Sequence, residues 1–212
     1  MNTNEIRQQL MAKGLNSREL NEDPFKQFEA WYAQTINSDI YEPGAMSLAT
    51  VDVGNQPWQR IVLLKLFDEK GFVFFTNYES RKAQHIAVNA NVSVLFLWHP
   101  LGRQVKITGR AEKISAAESL NYFVTRPRGS QLGAWASGQS QMISSRSILE
   151  SMFDSMKEKY AHKEIPLPPF WGGYRVIPKT IEFWQARDSR LHDRFIYQKN
   201  ETGVWSFSRL AP

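Results

Sequence analysis

The spacing of apolar residues changes near residue 46, and the change divides the chain into a helical start and a mainly β remainder. Before it, an apolar stripe recurs at the three- and four-residue intervals of an amphipathic helix. The stripe consists of Phe25, Phe28, Trp31, Tyr32 and Ile36. Asp23 stands at the N-cap position of this helix, with Pro24 at its first position. The pattern predicts an N-terminal helical segment over about residues 1–40.

After residue 46, runs of β-branched and aromatic residues alternate with short turn sequences such as 54–57 and 68–71. Polar and apolar residues alternate over residues 103–111, as in a strand with one buried face. The predicted strands cover residues 47–53, 59–67, 72–76, 92–98, 103–111, 174–177, 180–184, 195–199 and 205–208. Short strands at this close spacing favour an antiparallel barrel over a parallel α/β sheet.

Helical signals interrupt the predicted sheet in three places. Ser80 is predicted to cap one helix over residues 81–90, and a second helix opens on a capping box at Ser115 and ends before Pro127. A third begins at residue 144 or 145. The predicted fold is therefore mainly β with flanking helices (α+β).

Length and composition fit one globular domain over all 212 residues. No apolar run approaches the roughly 18 residues needed to span a bilayer, and the N-terminus lacks the basic-then-apolar pattern of a secretory signal. The absence of cysteine excludes disulfides, thiolate metal sites and thiol catalysis. The four histidines have no metal-ligand spacing. We therefore expect a cytoplasmic protein with no membrane segment and no metal.

The net charge of +5 comes from small groups of basic residues scattered along the chain. This distribution suits small anionic ligands, phosphates in particular, better than nucleic acid. Arg60 and Lys65 flank four aliphatic residues. A regular strand would direct the two side chains to opposite faces, and therefore to different ligands. The alternative is that both side chains simply reach solvent. Ser80, Arg81 and Lys82 occupy a predicted helix N-terminus, which is either a phosphate site or a solvated turn.

Two further groups concentrate polar side chains. Tyr122, Arg126 and Ser130 are spaced by four residues and can converge on one phosphate where a helix ends. The following tract, 135–141, is rich in small residues and amides and is predicted as a loop. In Arg190-Leu191-His192-Asp193-Arg194, two arginines flank a histidine, which suits an anionic or electron-rich planar ligand.

Taken together, these groups resemble the pyridoxine/pyridoxamine 5′-phosphate oxidase family, in order and in spacing, from about residue 23 to the last residue. The matching motifs are Arg60-Ile61-Val62-Leu63-Leu64-Lys65, Ser80-Arg81-Lys82, Arg126-Pro127-Arg128-Gly129-Ser130-Gln131, Gln139-Ser140, Phe170-Trp171-Gly172-Gly173, Ile181-Glu182-Phe183-Trp184-Gln185, Arg190-Leu191-His192-Asp193-Arg194 and Arg209-Leu210-Ala211-Pro212. The resemblance implies an antiparallel FMN-binding split barrel that forms a homodimer, with FMN held non-covalently at the subunit interface.

The resemblance also implies a role for each matching position. FMN would be bound by Arg60, Ile61, Val62, Leu63, Leu64, Lys65, Phe75, Thr76, Arg81, Lys82, Gln104, Gln139, Ser140, Trp184 and Arg194. The substrate would be bound by Lys65, Tyr122, Arg126, Ser130, Arg190, Leu191 and His192. Of these, Lys65, Tyr122, Arg126 and Ser130 would hold its phosphate. Arg190 and His192 would be catalytic, Arg190 lying over the pyridine ring and His192 orienting the ring or the leaving proton.

Two positions depart from the family pattern. The family commonly has tyrosine where Phe75 stands, so a backbone contact would survive there but a phenol hydrogen bond would not. An N-terminal Arg-Arg-Glu-Tyr-like run makes a second, non-catalytic contact in the family. Only Arg7 of that run is retained in Arg7-Gln8-Gln9-Leu10, which argues against this contact here.

The implied reaction oxidises the 4′ carbon of pyridoxine or pyridoxamine 5′-phosphate to the aldehyde of pyridoxal phosphate, with hydride passing to FMN and O2 reduced to hydrogen peroxide. This chemistry belongs to vitamin B6 salvage. One alternative is a split-barrel oxidoreductase with another substrate or a deazaflavin. Six residues that would have no reason to occur together in such a protein argue against it: Lys65, Tyr122, Arg126, Ser130, Arg190 and His192. The other is a module that binds FMN, pyridoxal phosphate or nucleic acid without turnover.

Overall fold

The computed structural model describes residues 3–38 and 40–212, and its centre is an antiparallel sheet of nine strands. The strands are β1 (Ala45–Val51), β2 (Pro57–Leu63), β3 (Leu66–Asp68), β4 (Gly71–Asn77), β5 (Asn91–Trp98), β6 (Arg103–Lys113), β7 (Trp171–Gln185), β8 (Asp193–Lys199) and β9 (Trp205–Leu210). Their order is β2-β1-β5-β6-β7-β4-β3, while β8 also pairs with β7 and β9 pairs with β8. The predicted mainly β, antiparallel fold is confirmed.

Six α-helices flank the sheet in the described part of the chain. They are α1 (Thr3–Lys13), α2 (Pro24–Ile36), α3 (Arg81–Val88), α4 (Ala116–Thr125), α5 (Arg128–Ala136) and α6 (Arg146–Lys159). Asp23 caps α2 by accepting from the Phe25 N–H, and Ser115 with Glu118 forms the predicted capping box of α4. None of the helices in residues 3–38 and 40–212 is long and apolar enough to cross a membrane.

The main core lies where the aromatic stripe of α2 meets the sheet. Phe28 is fully buried, with its ring centroid 4.9 Å from that of Phe72 and 5.1 Å from that of Phe96. Burying aromatic rings of this size supplies much of the hydrophobic stabilisation of such a fold. A second buried cluster lies against α4, α5 and α6. It consists of Phe123, Leu132, Tyr160, Ile165 and Trp171.

The prediction of one strand over 59–67 is wrong, because the chain leaves β2 after Leu63 and re-enters the sheet as β3. The Leu64 N–H donates to the carbonyl of Gly44 (2.8 Å), and the Lys65 N–H donates to the carbonyl of Val73 (2.9 Å). These two bonds hold the chain between the strands. Alternation along one strand therefore does not decide which way Lys65 faces relative to residues of β2.

The prediction of separate strands at 174–177 and 180–184 is also wrong, since β7 runs unbroken through Pro178. The register between β6 and β7 shifts between Thr108 and Gly109, where Gly109 pairs with Pro178. A bulge of this kind accommodates a proline, which has no N–H to donate to the ladder. One further difference is α5, because the sequence signals give no helix over residues 128–136.

Candidate functional site

A cleft of about 700 Å³ opens among β2, β4, α4 and α5, a volume suited to a small-molecule ligand. The predicted site residues that line it are Ile61, Val62, Leu63, Lys65, Phe75, Thr76, Lys82, Tyr122, Arg126, Ser130 and Gln139. The structure thus brings together residues from four separate motifs. Two strands, three helices, the connections after β2 and α4, and the loop after α5 carry these side chains.

Lys82 is the buried cation of the cleft. Its Nζ donates to Gln139 Oε1 (2.7 Å), Thr76 Oγ1 (3.0 Å) and Ser80 Oγ (3.2 Å). Burial and then the nearby charge of Arg60 lower the pKa of Lys82 to about 8. Ser80 occupies the N-cap position of α3, but its side chain makes no cap hydrogen bond. The Ser80 hydroxyl instead serves as an acceptor for Lys82, so the predicted capping role is wrong.

Arg60 and Arg81 add two further cations beside Lys82. Arg60 Nη1 donates to the Leu48 carbonyl (3.0 Å) and to Thr50 Oγ1 (2.7 Å). Burial, and then the charge of Arg81, lower the pKa of Arg60. Within residues 3–38 and 40–212, none of the three cations forms an ion pair with a carboxylate. Such a cluster repels itself and is stabilised by a bound anion.

Arg126 provides a second anion-seeking group in the same cleft. Its Nη1 is the only buried side-chain nitrogen or oxygen of the described residues that has no hydrogen-bond partner. The guanidinium lies 4.6 Å from the ring centroid of Trp171, and its burial lowers the pKa of Arg126. A buried donor without an acceptor costs about 1–3 kcal/mol, which a bound anion would recover. Lys65, Tyr122 and Ser130 line the cleft with Arg126.

The remaining predicted site residues do not line this cleft. Four of them lie nearby. Arg60 and Arg81 belong to the cation cluster beside Lys82, Leu64 belongs to the main core, and Ser140 follows the lining residue Gln139 in the sequence. The other six lie on β6, β7, β8 and the turn before β8: Gln104, Trp184, Arg190, Leu191, His192 and Arg194. Within one chain, the predicted site is therefore divided into two groups.

The second group surrounds His192. Its ring centroid lies 4.5 Å from that of Trp184, and its Nδ1 accepts a hydrogen bond from the Arg187 N–H (3.1 Å). An accepting Nδ1 leaves the proton of the neutral imidazole on Nε2, so that nitrogen is a donor. Arg190 is exposed with φ +62°, and Leu191 is 69% exposed. Both residues are therefore open to a ligand or to a second chain.

Asp193 anchors this exposed segment to the N-terminal part of the chain. Its carboxylate accepts from the Leu15 N–H (2.9 Å) and forms ion pairs with Arg209 and Arg187. Burial alone would raise the pKa of Asp193, but these donors and charges hold it below its ordinary value. Asp193 thus acts as a structural tie beside the candidate catalytic residues.

Sequence reasoning assigned no role to several residues that line the cleft, among them Asn77, Ser137 and Trp171. Trp171 belongs to a motif of the family resemblance, but it carries no charge that would have singled it out. Asn77 Nδ2 donates to the Ser137 carbonyl (3.3 Å), which ties β4 to the loop that carries Gln139. Loop closure of this kind depends on tertiary contacts and leaves no local sequence signal.

Two solved structures share this architecture. PhzG from Burkholderia lata, in complex with tetrahydrophenazine-1-carboxylic acid, has a TM-score of 0.88 at 26% identity, covering 93% of this chain and 98% of its own. A pyridoxamine 5′-phosphate oxidase-related, FMN binding protein from Nostoc punctiforme has a TM-score of 0.73 at 18% identity, covering 91% of this chain and 100% of its own. The fold is that of the FMN-binding split-barrel class.

Sequence comparison narrows this class to one family. A family model described as Pyridoxamine 5′-phosphate oxidase matches residues 32–160, and one described as Pyridoxine 5′-phosphate oxidase C-terminal dimerisation region matches residues 171–212. The chain belongs to the pyridoxine/pyridoxamine 5′-phosphate oxidase family. Relatives named Pyridoxine/pyridoxamine 5′-phosphate oxidase are 58% identical in Crocosphaera subtropica, over 214 residues, and 54% identical in Aliarcobacter butzleri, over 212 residues. Each alignment covers 100% of both chains.

Proposed function

We propose that the protein is an FMN-dependent oxidase that converts pyridoxine or pyridoxamine 5′-phosphate to pyridoxal 5′-phosphate as a homodimer. Pyridoxine phosphate and O2 give pyridoxal phosphate and hydrogen peroxide. The pyridoxamine reaction also consumes one water and releases ammonia. Membership of the family and the relatives at 54–58% identity support this reaction.

The observation that carries the assignment of the phosphate site is the unpartnered Nη1 of Arg126. Lys65, Tyr122 and Ser130 line the cleft with it and can add a second charge and two hydroxyl donors. Charge-assisted hydrogen bonds to a phosphate are about twice as strong as neutral ones. We therefore assign these four residues to the phosphate of the substrate. A substrate without a phosphate would leave Arg126 unsatisfied.

The residues around Lys82 fit the phosphate end of FMN. Arg60, Arg81 and Lys82 supply three cations without a carboxylate partner among the described residues. Burial and then the charge of Arg60 lower the pKa of Lys82, and a bound anion would offset that repulsion. Thr76 and Gln139 supply neutral hydrogen-bonding groups beside them. Two separate anion-seeking groups in one cleft agree with two phosphorylated ligands, the cofactor and the substrate.

Bound FMN supplies a two-electron acceptor that transfers the electrons to O2. The chain supplies binding, orientation and electrostatics. The phosphate clamp is remote from the reacting 4′ carbon, so its binding energy can be used to fix the ring in a reactive position. No carboxylate is assigned as a general base.

A second copy of the chain completes the cleft in this proposal. The match to the C-terminal dimerisation region covers residues 171–212, a stretch that contains Trp184, Arg190, His192 and Arg194. Because these residues do not line the cleft of their own chain, we assign them to the cleft of the other subunit. Each of the two sites would then combine the phosphate clamp of one subunit with the β7–β8 segment of the other.

Arg190 and His192 orient the pyridine ring. Arg190 is exposed and carries a fixed positive charge, which suits a position over an electron-rich ring. His192 presents Nε2–H as a donor, because its Nδ1 already accepts from Arg187. Of the two roles that the resemblance implies for His192, this tautomer favours orientation of the ring over acceptance of a proton.

The test is an anaerobic titration of the purified protein, followed by the absorbance of oxidised flavin. Pyridoxine 5′-phosphate should bleach the flavin, and admission of air should restore it with one hydrogen peroxide per substrate. Pyridoxine without its phosphate, at the same concentration, should bleach it far more slowly. A colourless protein that takes up no FMN, or one whose flavin bleaches equally with both compounds, would refute the proposal.

Cytoplasmic location and a single-domain organisation over residues 1–212 belong to the same proposal. A doubly charged phosphorylated substrate does not cross a lipid bilayer freely, so it is available where it is made. The continuous sheet from Ala45 to Leu210 supports the single domain.

A further inference from the structure

Three aromatic rings and one guanidinium of the cleft pack together. The ring centroid of Tyr122 lies 4.0 Å from that of Phe75, with 18° between the planes. Phe75 lies 5.3 Å from Trp171 at 11°. The guanidinium of Arg126 then lies 4.6 Å from the centroid of Trp171. The Tyr122 and Trp171 rings are also nearly parallel, with centroids 6.4 Å apart, so the three rings form one compact cluster that the Arg126 guanidinium joins on Trp171.

Trp171 is the ring of this cluster that contacts Arg126. Its side chain is only 7% exposed, it lines the cleft, and it is fixed by an edge contact with Phe123 at a centroid distance of 5.3 Å. Arg126 has no carboxylate partner among residues 3–38 and 40–212. An aromatic face attracts and orients a guanidinium without accepting its in-plane N–H groups. Those N–H groups remain available for an anion.

A second arginine in the protein shows the opposite arrangement. Arg103 also lies on a tryptophan face, 4.1 Å from the centroid of Trp31. However, its Nε donates to Gln185 Oε1 (2.8 Å) and its Nη1 to Gln34 Oε1 (2.6 Å). Arg103 is therefore satisfied within the protein and serves the core, whereas the stacked Arg126 keeps a buried donor unused.

We propose that Trp171 is a positioning residue for the reaction: its indole face holds the Arg126 guanidinium in place for the substrate phosphate while leaving its N–H donors free. This inference rests on the proposed function, because it takes Arg126 as a phosphate ligand. It adds a residue that acts through Arg126 and determines preference for phosphorylated over unphosphorylated substrate.

The test compares Trp171→Leu and Trp171→Phe in the FMN-loaded dimer, with pyridoxine 5′-phosphate and with pyridoxine. Loss of the indole face should raise KM for the phosphorylated substrate about tenfold in Trp171→Leu and about threefold in Trp171→Phe, which keeps a smaller ring. kcat should stay within about twofold, and kcat/KM for unphosphorylated pyridoxine should not change. Competition by inorganic phosphate, measured on the same holoenzymes, should weaken in parallel.

The matched control is Trp31→Leu, which removes another tryptophan with an arginine on its face, Arg103, and lies outside the cleft. It should lower the unfolding temperature without changing KM. Similar KM changes in Trp31→Leu and Trp171→Leu, or equal losses with both substrates, would show that Trp171 is merely structural and would overturn the inference. If Trp171→Leu does not retain FMN, Trp171→Phe against Trp31→Phe supplies the same comparison.

A double-mutant cycle with Arg126→Ala separates this inference from the proposed function. If Trp171 acts through Arg126, Trp171→Leu should add little to the KM of the Arg126→Ala variant. Two outcomes would overturn the inference about Trp171 while leaving the phosphate clamp intact. One is a further tenfold rise in KM when Trp171→Leu is added to Arg126→Ala. The other is a raised KM in Arg126→Ala with an unchanged KM in Trp171→Leu. An unchanged KM in Arg126→Ala would refute the phosphate clamp itself, and both proposals with it.

Discussion

Glu182 holds Arg194 through a single carboxylate oxygen, Oε1, which lies 2.9 Å from both Nε and Nη2 of the guanidinium. The other oxygen, Oε2, lies 2.6 Å from Lys106 Nζ. Burial alone would raise the pKa of Glu182, but the hydrogen bonds from Arg194 and Lys106 hold it below its ordinary value. Arg194 Nη1 also donates to the Ala211 carbonyl (2.8 Å). The guanidinium proposed to contact FMN is thus fixed from two sides.

Glu182→Gln should therefore weaken FMN binding as well as the fold. Loss of the charged acceptor frees Arg194, and we expect the Kd for FMN to rise about tenfold, since a hydrogen bond between charged groups is worth about 1.5–3 kcal/mol. Titration of the apoprotein by flavin fluorescence measures this change. Lys106→Met, which removes the half-exposed partner, should leave the Kd within about twofold. Unchanged FMN affinity in Glu182→Gln, with only a lower unfolding temperature, would contradict the prediction.

The affinity for FMN should fall as the pH rises above about 8. The pKa of Lys82 in the free protein is about 8, so above that pH the side chain increasingly loses the charge that attracts a phosphate. Bound phosphate favours the protonated amine, so binding should take up a proton and Kd should rise by up to about tenfold per pH unit. Fluorescence titrations from roughly pH 7 to pH 9.5 would measure this slope. Lys82→Arg should abolish it, and the same slope in both proteins would assign the titration to another group.

Arg190→Leu should reduce turnover while sparing the cofactor. The arginine is proposed to orient the substrate ring, so we expect kcat to fall about 100-fold, as when other transition-state contacts are removed. The Kd for FMN should stay within about twofold. Stopped-flow measurement of flavin reduction under anaerobic conditions isolates the affected step, and Arg190→Lys controls for the charge. Loss of FMN in proportion to the loss of activity would show that Arg190 is a cofactor ligand.

Two glycine substitutions should have opposite effects on stability. A Cβ on Gly109, at the register shift between β6 and β7, would lie 2.0 Å from the Ile177 carbonyl oxygen. A Cβ on Gly129, near the start of α5, meets no atom within 4 Å. Gly109→Ala should lower the free energy of unfolding by about 3 kcal/mol or more, and Gly129→Ala should raise it by about 0.5 kcal/mol. Urea unfolding of both variants would measure these changes, and equal midpoints would contradict the clash at the bulge.

Local sequence signals predicted the elements that local contacts determine. The cap at Asp23 and the capping box at Ser115 each involve neighbours within three residues, so the starts of α2 and α4 could be read from the sequence. The break after Leu63 could not, because it depends on hydrogen bonds from Leu64 and Lys65 to distant carbonyls. For the same reason the sequence predicts two strands where β7 is continuous through Pro178, whose place in the ladder depends on the register shift between β6 and β7.

The candidate site was predictable as a set of residues but not as an arrangement. Charged and polar side chains such as Arg126 and Lys82 stand out in the sequence, and the structure brings them to one cleft. Trp171 carries no charge or polar pattern that would indicate a binding site, and a tryptophan in a sequence most often indicates a core residue. The division between Arg126 and Arg190 also has no sequence signal, since only the fold determines which residues share a cleft.

In the proposed dimer, each site combines Arg126 of one subunit with Arg190 of the other, so a subunit that is defective in one of these residues still supplies the other intact. Arg126→Ala and Arg190→Leu each damage a different half, so either variant alone carries two defective sites per dimer. In a mixed dimer, one site would receive both defects and the other would receive none. Random re-association of equal amounts of the two impaired proteins should therefore give about a quarter of the wild-type activity at a subsaturating substrate concentration, well above either variant alone, which is the signature of complementation between subunits.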